Sequence, residues 1–164
     1  MPLLVTTTPI AAPPRIVAAV LMDFASFPQW NPLIRTMRAA ETSAGGRPVV
    51  GTRLEANLQM SPKHAPMHIT PIVECCNDQE FRWRGKVGHA SLLGAVHSFS
   101  YLPGDNASGN STHFVHSEDF RGLFGWLFLA VYKKPLHETF SGMNEKLKEL
   151  AEQRFAEEVA VTAT

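Results

Sequence analysis

Four side chains in the second half of the sequence have the chemistry to move protons or hold a developing charge: His97, Tyr101, His116 and Glu118. They fall in two stretches, 94–102 and 111–120, where polar and apolar residues alternate, the pattern of a half-buried strand. On the second stretch Thr112, Phe114, His116, Glu118 and Phe120 share one face, and the phenylalanines mark it as inward. Ala95, His97, Phe99 and Tyr101 share a face of the first by the same rule. The turn between the stretches makes them neighbours, so His97, His116 and Glu118 can converge inside the fold.

An imidazole with an ordinary pKa of about 6.5 both accepts and donates protons near neutrality, as general acid–base catalysis requires. A carboxylate beside it can orient the ring, stabilise its protonated form, or act as the acid if burial raises its pKa. The Tyr101 phenol would add a donor for a developing enolate oxygen. Two other readings of the same cluster stand beside catalysis. His97, His116 and Glu118 could form a satisfied polar network that closes the sheet, or they could be a two-histidine, one-carboxylate metal site. His113 and His116 are three apart on a strand and point to opposite faces, so they make no ligand pair. His64, His68, His89 and His137 read as loop or surface residues. The adjacent Cys75 and Cys76 are neither a disulfide framework nor a metal spacing, and the buried thiol of the two reads as a small hydrophobe.

Holding such a cluster requires a sheet with a covered inner face, and the sequence supplies the elements. Leu3–Ile10 is β-branched or apolar and ends at Ala11-Ala12-Pro13-Pro14. Pro14 can open a helix running through Met22. The aromatic segment from Asp23 to Ile34, punctuated by Pro28 and Pro32, reads as a second short helix with its flanks. Strands are predicted over 35–40, 52–60, 67–75, 80–87, 94–102 and 111–120, separated by residues of turn composition. From Phe124 the spacing is helical, with Leu129, Leu136, Phe140, Met143, Leu147 and Leu150 forming an apolar stripe. Pro135 costs about 3 kcal/mol inside a helix, which predicts a kink there or two helical pieces. The economical packing is an α+β one, a seven-stranded antiparallel sheet curled around the last helix. Residues 1–155 read as one domain and 156–164 as a frayed tail. Where the helix leaves the concavity unfilled, a pocket remains. Trp83, Phe99, Phe114, Phe120, Phe27, Trp30, Phe140 and Met143 are the candidates to wall it, and core packing is the competing role for each.

Composition narrows the partner. Of 164 residues 45% are hydrophobic, and 15 basic residues balance 15 acidic ones. No net field draws the chain to nucleic acid or to an anionic membrane. The longest apolar stretch, 123–132, is half of the roughly 20 residues that span a bilayer, so stable membrane insertion is not expected. That stretch reads as a buried helix start, a pocket lid or a homodimer surface. The first residues lack the character of a secretory signal, and with the cysteine pattern this makes a cytoplasmic setting the expectation.

Several motifs carry a family resemblance: Asp23-x-x-x-Phe27-Pro28-x-Trp30-Asn31-Pro32, Glu80-x-Arg82-Trp83-x-Gly85 and Gly94-x-x-His97-x-Phe99. Two more follow, Thr112-x-Phe114-x-His116-x-Glu118-x-Phe120-x-Gly122 and Phe140-x-x-Met143-Asn144-x-x-Leu147-Lys148. In this order they resemble the SRPBCC superfamily, which includes START lipid-binding domains, pollen-allergen-like proteins and bacterial polyketide cyclases or dehydratases. The resemblance implies a helix-grip fold, a deep apolar cavity and no metal or organic cofactor. Its members include enzymes, carriers and receptors, so the fold leaves function open. The inward histidines and glutamate favour cofactor-independent cyclisation, dehydration or isomerisation of a small hydrophobic molecule, and the resemblance implies a polyketide-like or other secondary-metabolite one. A carrier or sensor of a lipid-like ligand is the alternative.

Overall fold

The first strand, β1 (Leu3–Ile10), alternates exposed and buried residues along its whole length, burying Leu4, Thr6, Thr8 and Ile10. The computed structural model describes residues 3–60, 63, 65–86, 93–106 and 109–163; His64 and His89 lie outside them. After β1 come α1 (Pro14–Met22), a 3-10 turn (Phe24–Ser26), α2 (Phe27–Trp30) and β2 (Ile34–Ala39). The strands β3 (Leu54–Leu58), β4 (Met67–Ile69), β5 (Ile72–Cys76), β6 (Glu80–Lys86), β7 (Gly94–Pro103) and β8 (Thr112–Arg121) follow, and α3 (Gly125–Thr162) ends the chain.

All strand pairs are antiparallel, in sheets of order β1-β8-β7-β6-β5 and β2-β3-β4. Backbone hydrogen bonds from Leu54 to Pro71 (2.8 Å) and from Val73 to Thr52 (3.0 Å) join the two sheets into one surface. The strands number eight among the described residues, not the seven expected. The predicted strand over 67–75 divides at Thr70-Pro71, where proline offers no N–H to continue a ladder.

The buried stripe of α3, from Leu129 and Leu136 through Phe140, Met143 and Leu147 to Ala151, faces the sheet. Burying one such large side chain contributes roughly 1.5–3 kcal/mol. Polar contacts fix the helix position: Lys148 Nζ donates to the Pro9 carbonyl (3.0 Å), the Ala11 N–H to Glu152 (2.8 Å) and Arg154 to Asp23 (3.0 Å). Arg15 pairs with Glu158. The helix is a single element with Pro135 inside it, not two pieces, and it runs on to Thr162 through most of the stretch expected to fray.

The 123–132 stretch divides by face. Leu129 is buried and Phe128 half-buried, while Leu123, Phe124, Trp126, Leu127 and Val131 are exposed, so the expected buried helix start holds on one side only. Among the described residues no helix is long and apolar enough to cross a membrane. The chain turns from β8 into α3 at Gly122, whose φ of 91° suits glycine. A Cβ on Gly125 would meet the Phe120 backbone at 3.2 Å.

Candidate active site

Strand register brings the expected residues together. His97 of β7 stands opposite Glu118 of β8, Phe99 opposite His116, and Thr6 of β1 opposite His116 on its other side. His97 and His116 are therefore diagonal neighbours on the inner face. Their Nε2 atoms lie 2.6 Å apart, and His116 Nδ1 lies 2.9 Å from Asn144 Oδ1 on α3. Asn144 Nδ2 donates to Thr6 Oγ1 (3.0 Å) and Thr8 Oγ1 (3.2 Å). The His116 ring stacks on Phe140 (centroids 3.8 Å, 6° between planes) and the His97 ring on Trp83 (4.6 Å, 11°). Burial, reinforced by His97 and opposed by the bond to Asn144, holds the His116 pKa well below its ordinary value, so this imidazole is neutral.

The chain of polar groups ends at a pocket. His97 Nδ1 is 3.6 Å from Glu118 Oε1, too far for a hydrogen bond, and has no partner although it is buried. His97 and Glu118 both line a cavity of about 50 Å³. Its walls are otherwise mostly apolar: Leu58 and Met60 at β3, Met67 and Ile69 from β4, Trp83 and Gly85 from β6, Phe120 from β8, and Phe128 and Leu136 from α3. The Trp83 indole N–H is likewise buried without a partner. Buried polar atoms are seldom left unpaired, and here two such atoms belong to residues that line one pocket.

A family model described as "Polyketide cyclase / dehydrase and lipid transport" matches residues 1–152. The chain belongs to this family. No curated protein matches the sequence. Among solved structures, the chain is similar to a START superfamily protein from Mycobacterium smegmatis (18% identity, TM-score 0.62, covering 94% of this chain and 97% of that one). It is also similar to the Zhui aromatase/cyclase from Streptomyces sp. R1128 (13%, TM-score 0.69, 93% and 94%). A third is a norcoclaurine synthase point mutant from Thalictrum flavum in complex with a transition-state analogue (12%, TM-score 0.64, 93% and 95%). At these identities the structures establish the fold, and the START-like, helix-grip architecture of the polyketide-cyclase family is the fold of this chain.

Within this family fold, the residues singled out from the sequence separate into pocket and core. Trp83, His97, Glu118 and Phe120 line the cavity. His116 lies one step behind it, in the polar chain. Phe99, Phe114, Phe140 and Met143 are fully buried in the core and do not line it. Phe27 packs edge-on against Phe24 and Trp30, and the Trp30 indole N–H donates to Ser26 Oγ (3.0 Å). Asn31 of the same motif accepts the N–H groups of Leu33 (3.0 Å) and Ile34 (2.8 Å) through Oδ1. The aromatic motif after α1 is thus a clamp on the backbone leading into β2. Tyr101 is also away from the cavity, its hydroxyl donating to the Asn77 carbonyl at 2.7 Å.

The remaining expectations concern metals, thiols and the outer face. A 2.6 Å contact between the two Nε2 atoms leaves no space for an ion between them, and among the described residues no group of three or more His, Cys, Asp or Glu is placed to hold a metal. Cys75 and Cys76 are both half-buried instead of alternating, because the β5–β6 ladder shifts register between Val73 and Cys75, and burial raises both thiol pKa values. His68, His113 and His137 are exposed, and Arg82 and Arg84 pair outward with Glu74.

Sequence reasoning missed the β3–β4 side of the pocket and the role of Asn144, whereas the 123–132 stretch, read as a pocket lid among other roles, does supply Phe128 to the wall. The wall comes from β3, β4 and the start of α3, whose approach to β7 no periodicity states. Asn144 did leave a signal. It is a polar residue inside the apolar stripe, four after Phe140 and three before Leu147.

Proposed function

We propose that this protein binds a small, largely apolar organic molecule in the cavity and transforms it by cofactor-independent acid–base chemistry at His97 and Glu118. The observation that carries the reading is the unpartnered His97 Nδ1 facing the Glu118 carboxyl across 3.6 Å at an apolar pocket. The lone pair of His97 Nδ1 can serve as the base, and the Glu118 carboxyl, when it carries a proton, as the acid in the same pocket.

This pair suits dehydration. His97 Nδ1 takes a proton from the carbon next to a carbonyl, the electron pair forms the new C=C bond, and the C–O bond to the hydroxyl one carbon further breaks. Glu118 delivers its proton to that oxygen, which leaves as water. His97 is then cationic beside an anionic Glu118, and one proton shift between them restores the starting state. Isomerisation uses the first step with the proton returned elsewhere, and cyclisation uses the enolate as a nucleophile. Such groups contribute roughly 10²–10⁴-fold each. The aromatase/cyclase of the same fold supports a ring-forming or ring-modifying reaction. The cavity is small beside the roughly 300–1,000 Å³ of typical ligand sites, which favours a compact substrate or the reacting end of a larger polyketide-like one.

A non-catalytic carrier is the second reading, supported by the apolar walls and by the lipid-transport side of the family. Mass spectrometry of molecules that co-purify with the protein supplies a candidate ligand. Incubating that ligand with the parent protein and with separate His97→Ala and Glu118→Gln variants then decides. Product formed by the parent and lost in both variants supports the enzyme, whereas tight binding with no product from the parent overturns it in favour of the carrier.

A further inference from the structure

The polar chain behind the pocket decides which form of His97 a ligand meets. Asn144 donates through Nδ2 to Thr6 and Thr8, and the Thr6 hydroxyl donates in turn to the His116 carbonyl (3.4 Å), which leaves its oxygen as the acceptor. The amide is thereby oriented with Oδ1 towards His116. A carbonyl oxygen only accepts, so His116 Nδ1 carries a hydrogen. A neutral imidazole protonated at Nδ1 has a lone pair at Nε2, and the His97 Nε2 in contact with it must then be the donor. What remains of neutral His97 is a bare acceptor at Nδ1, the atom on the Glu118 side that lacks a partner.

We propose that Asn144 is a positioning residue that locks His97 with its hydrogen on Nε2, so that the pocket selects apolar ligands carrying an O–H or N–H donor, phenols and enols above all, over ligands of like shape that offer only a carbonyl. A ligand hydroxyl set between the two side chains donates to His97 Nδ1 and lies against the Glu118 carboxyl, filling a gap that the side chains do not bridge themselves. The inference rests on the cavity being a ligand site but not on turnover.

The test is ¹⁵N NMR of the histidine-labelled protein, which reports the nitrogen that carries each hydrogen. The ligand-free parent is expected to show the hydrogen on Nδ1 of His116 and Nε2 of His97. In Asn144→Leu the chain can reverse, with His116 donating through Nε2 and the His97 hydrogen moving to Nδ1. Replacing Thr6 and Thr8 together by valine keeps Asn144 but frees its amide, and should loosen the pattern without touching either histidine. In parallel, calorimetry with phenol and benzaldehyde should give the parent about a tenfold preference for phenol, the worth of one hydrogen bond, and Asn144→Leu almost none. A parent His116 with its hydrogen on Nε2 overturns the role of Asn144, whether or not any variant folds. Equal affinity for the two probes, or a preference for benzaldehyde, overturns the ligand class. Binding of neither probe overturns that class for the same pocket, while the NMR result still decides Asn144. Correct tautomers and phenol selection without turnover of any co-purified ligand defeat only the acid–base reading.

Discussion

The same three strands face two different interiors. Towards one end of the sheet, β6, β7 and β8 contribute Phe81, Phe99, Tyr101 and Phe114 to a closed aromatic core that also takes in Phe24 and Phe27. Towards the other end they contribute Trp83, His97, Glu118 and Phe120 to the walls of a pocket. One inward step along a strand, two residues or about 7 Å, separates the two. His116 and Phe99 occupy the boundary, where packed rings meet the polar chain. The inner face is thus uniform in pattern but graded in use, and the gradient is set by where α3 and the β3–β4 wall close against the sheet.

The two interiors differ most at the polar end. His97→Ala and Glu118→Gln should each lower product formation by roughly 10²–10⁴-fold, while the affinity for ligand falls only by about tenfold, the worth of one hydrogen bond. Single-turnover assays alongside calorimetry check both halves. A substitution in the aromatic end should do the opposite: Phe140→Ala removes a fully buried ring stacked on His116 and should cost about 3–5 kcal/mol in urea unfolding. Phe120→Ala, at the pocket, should cost less stability than that and lose more ligand affinity.

The boundary residue predicts a pH effect. His116 is held neutral in the folded chain, with its pKa depressed below 6.5, whereas the unfolded chain takes up the proton near that value. Below pH 6.5 the unfolded state binds the extra proton, so folding stability falls on acidification until the folded-state pKa is reached. The slope from this one group is at most about 1.4 kcal/mol per pH unit. Urea unfolding at pH 7.5, 6.5 and 5.5 measures it. The slope should flatten in His116→Gln; an unchanged slope assigns the acid sensitivity to other groups.

This gradient also explains what the sequence could tell. Alternation in 94–102 and 111–120 correctly placed His97, His116 and Glu118 on one face, because period two is a property of the strand alone. It could not separate Phe99 from His97, since their difference lies in distance along the strand from a helix more than twenty residues away in sequence. The motif Phe27-Pro28-x-Trp30-Asn31 was legible as structure but not as a clamp, because Asn31 acts on the backbone of Leu33 and Ile34 and contributes no apolar pattern. Thr70-Pro71 marks a corner that was absorbed into one strand because the residues on both sides are apolar. Asn144 was visible as an interruption of the stripe, yet its partners Thr6 and Thr8 lie at the opposite end of the chain and appear only with the fold.

Tyr101 is the smallest and sharpest test of the two-interior picture. It shares a face with His97 and was expected to hold an enolate, but it stands opposite Phe114, two inward steps from His97. Burial, with Cys76 close by, raises its pKa well above the ordinary tyrosine value, so it remains a donor at every working pH. The donor is already used on the Asn77 carbonyl, at a turn whose Asn77 side chain accepts the N–H groups of Gln79 and Glu80 (2.8 Å each). The phenol therefore pins the β5–β6 turn. Tyr101→Phe keeps the ring and deletes one hydrogen bond, for an expected loss of about 0.5–1.5 kcal/mol. Because Asn77 is exposed, water can replace the lost donor, which places the effect near the lower bound. Product formation should not change. A drop of tenfold or more in turnover with stability intact would mean that substrate reaches the aromatic end, and the division between core and pocket would have to be redrawn one strand-step deeper.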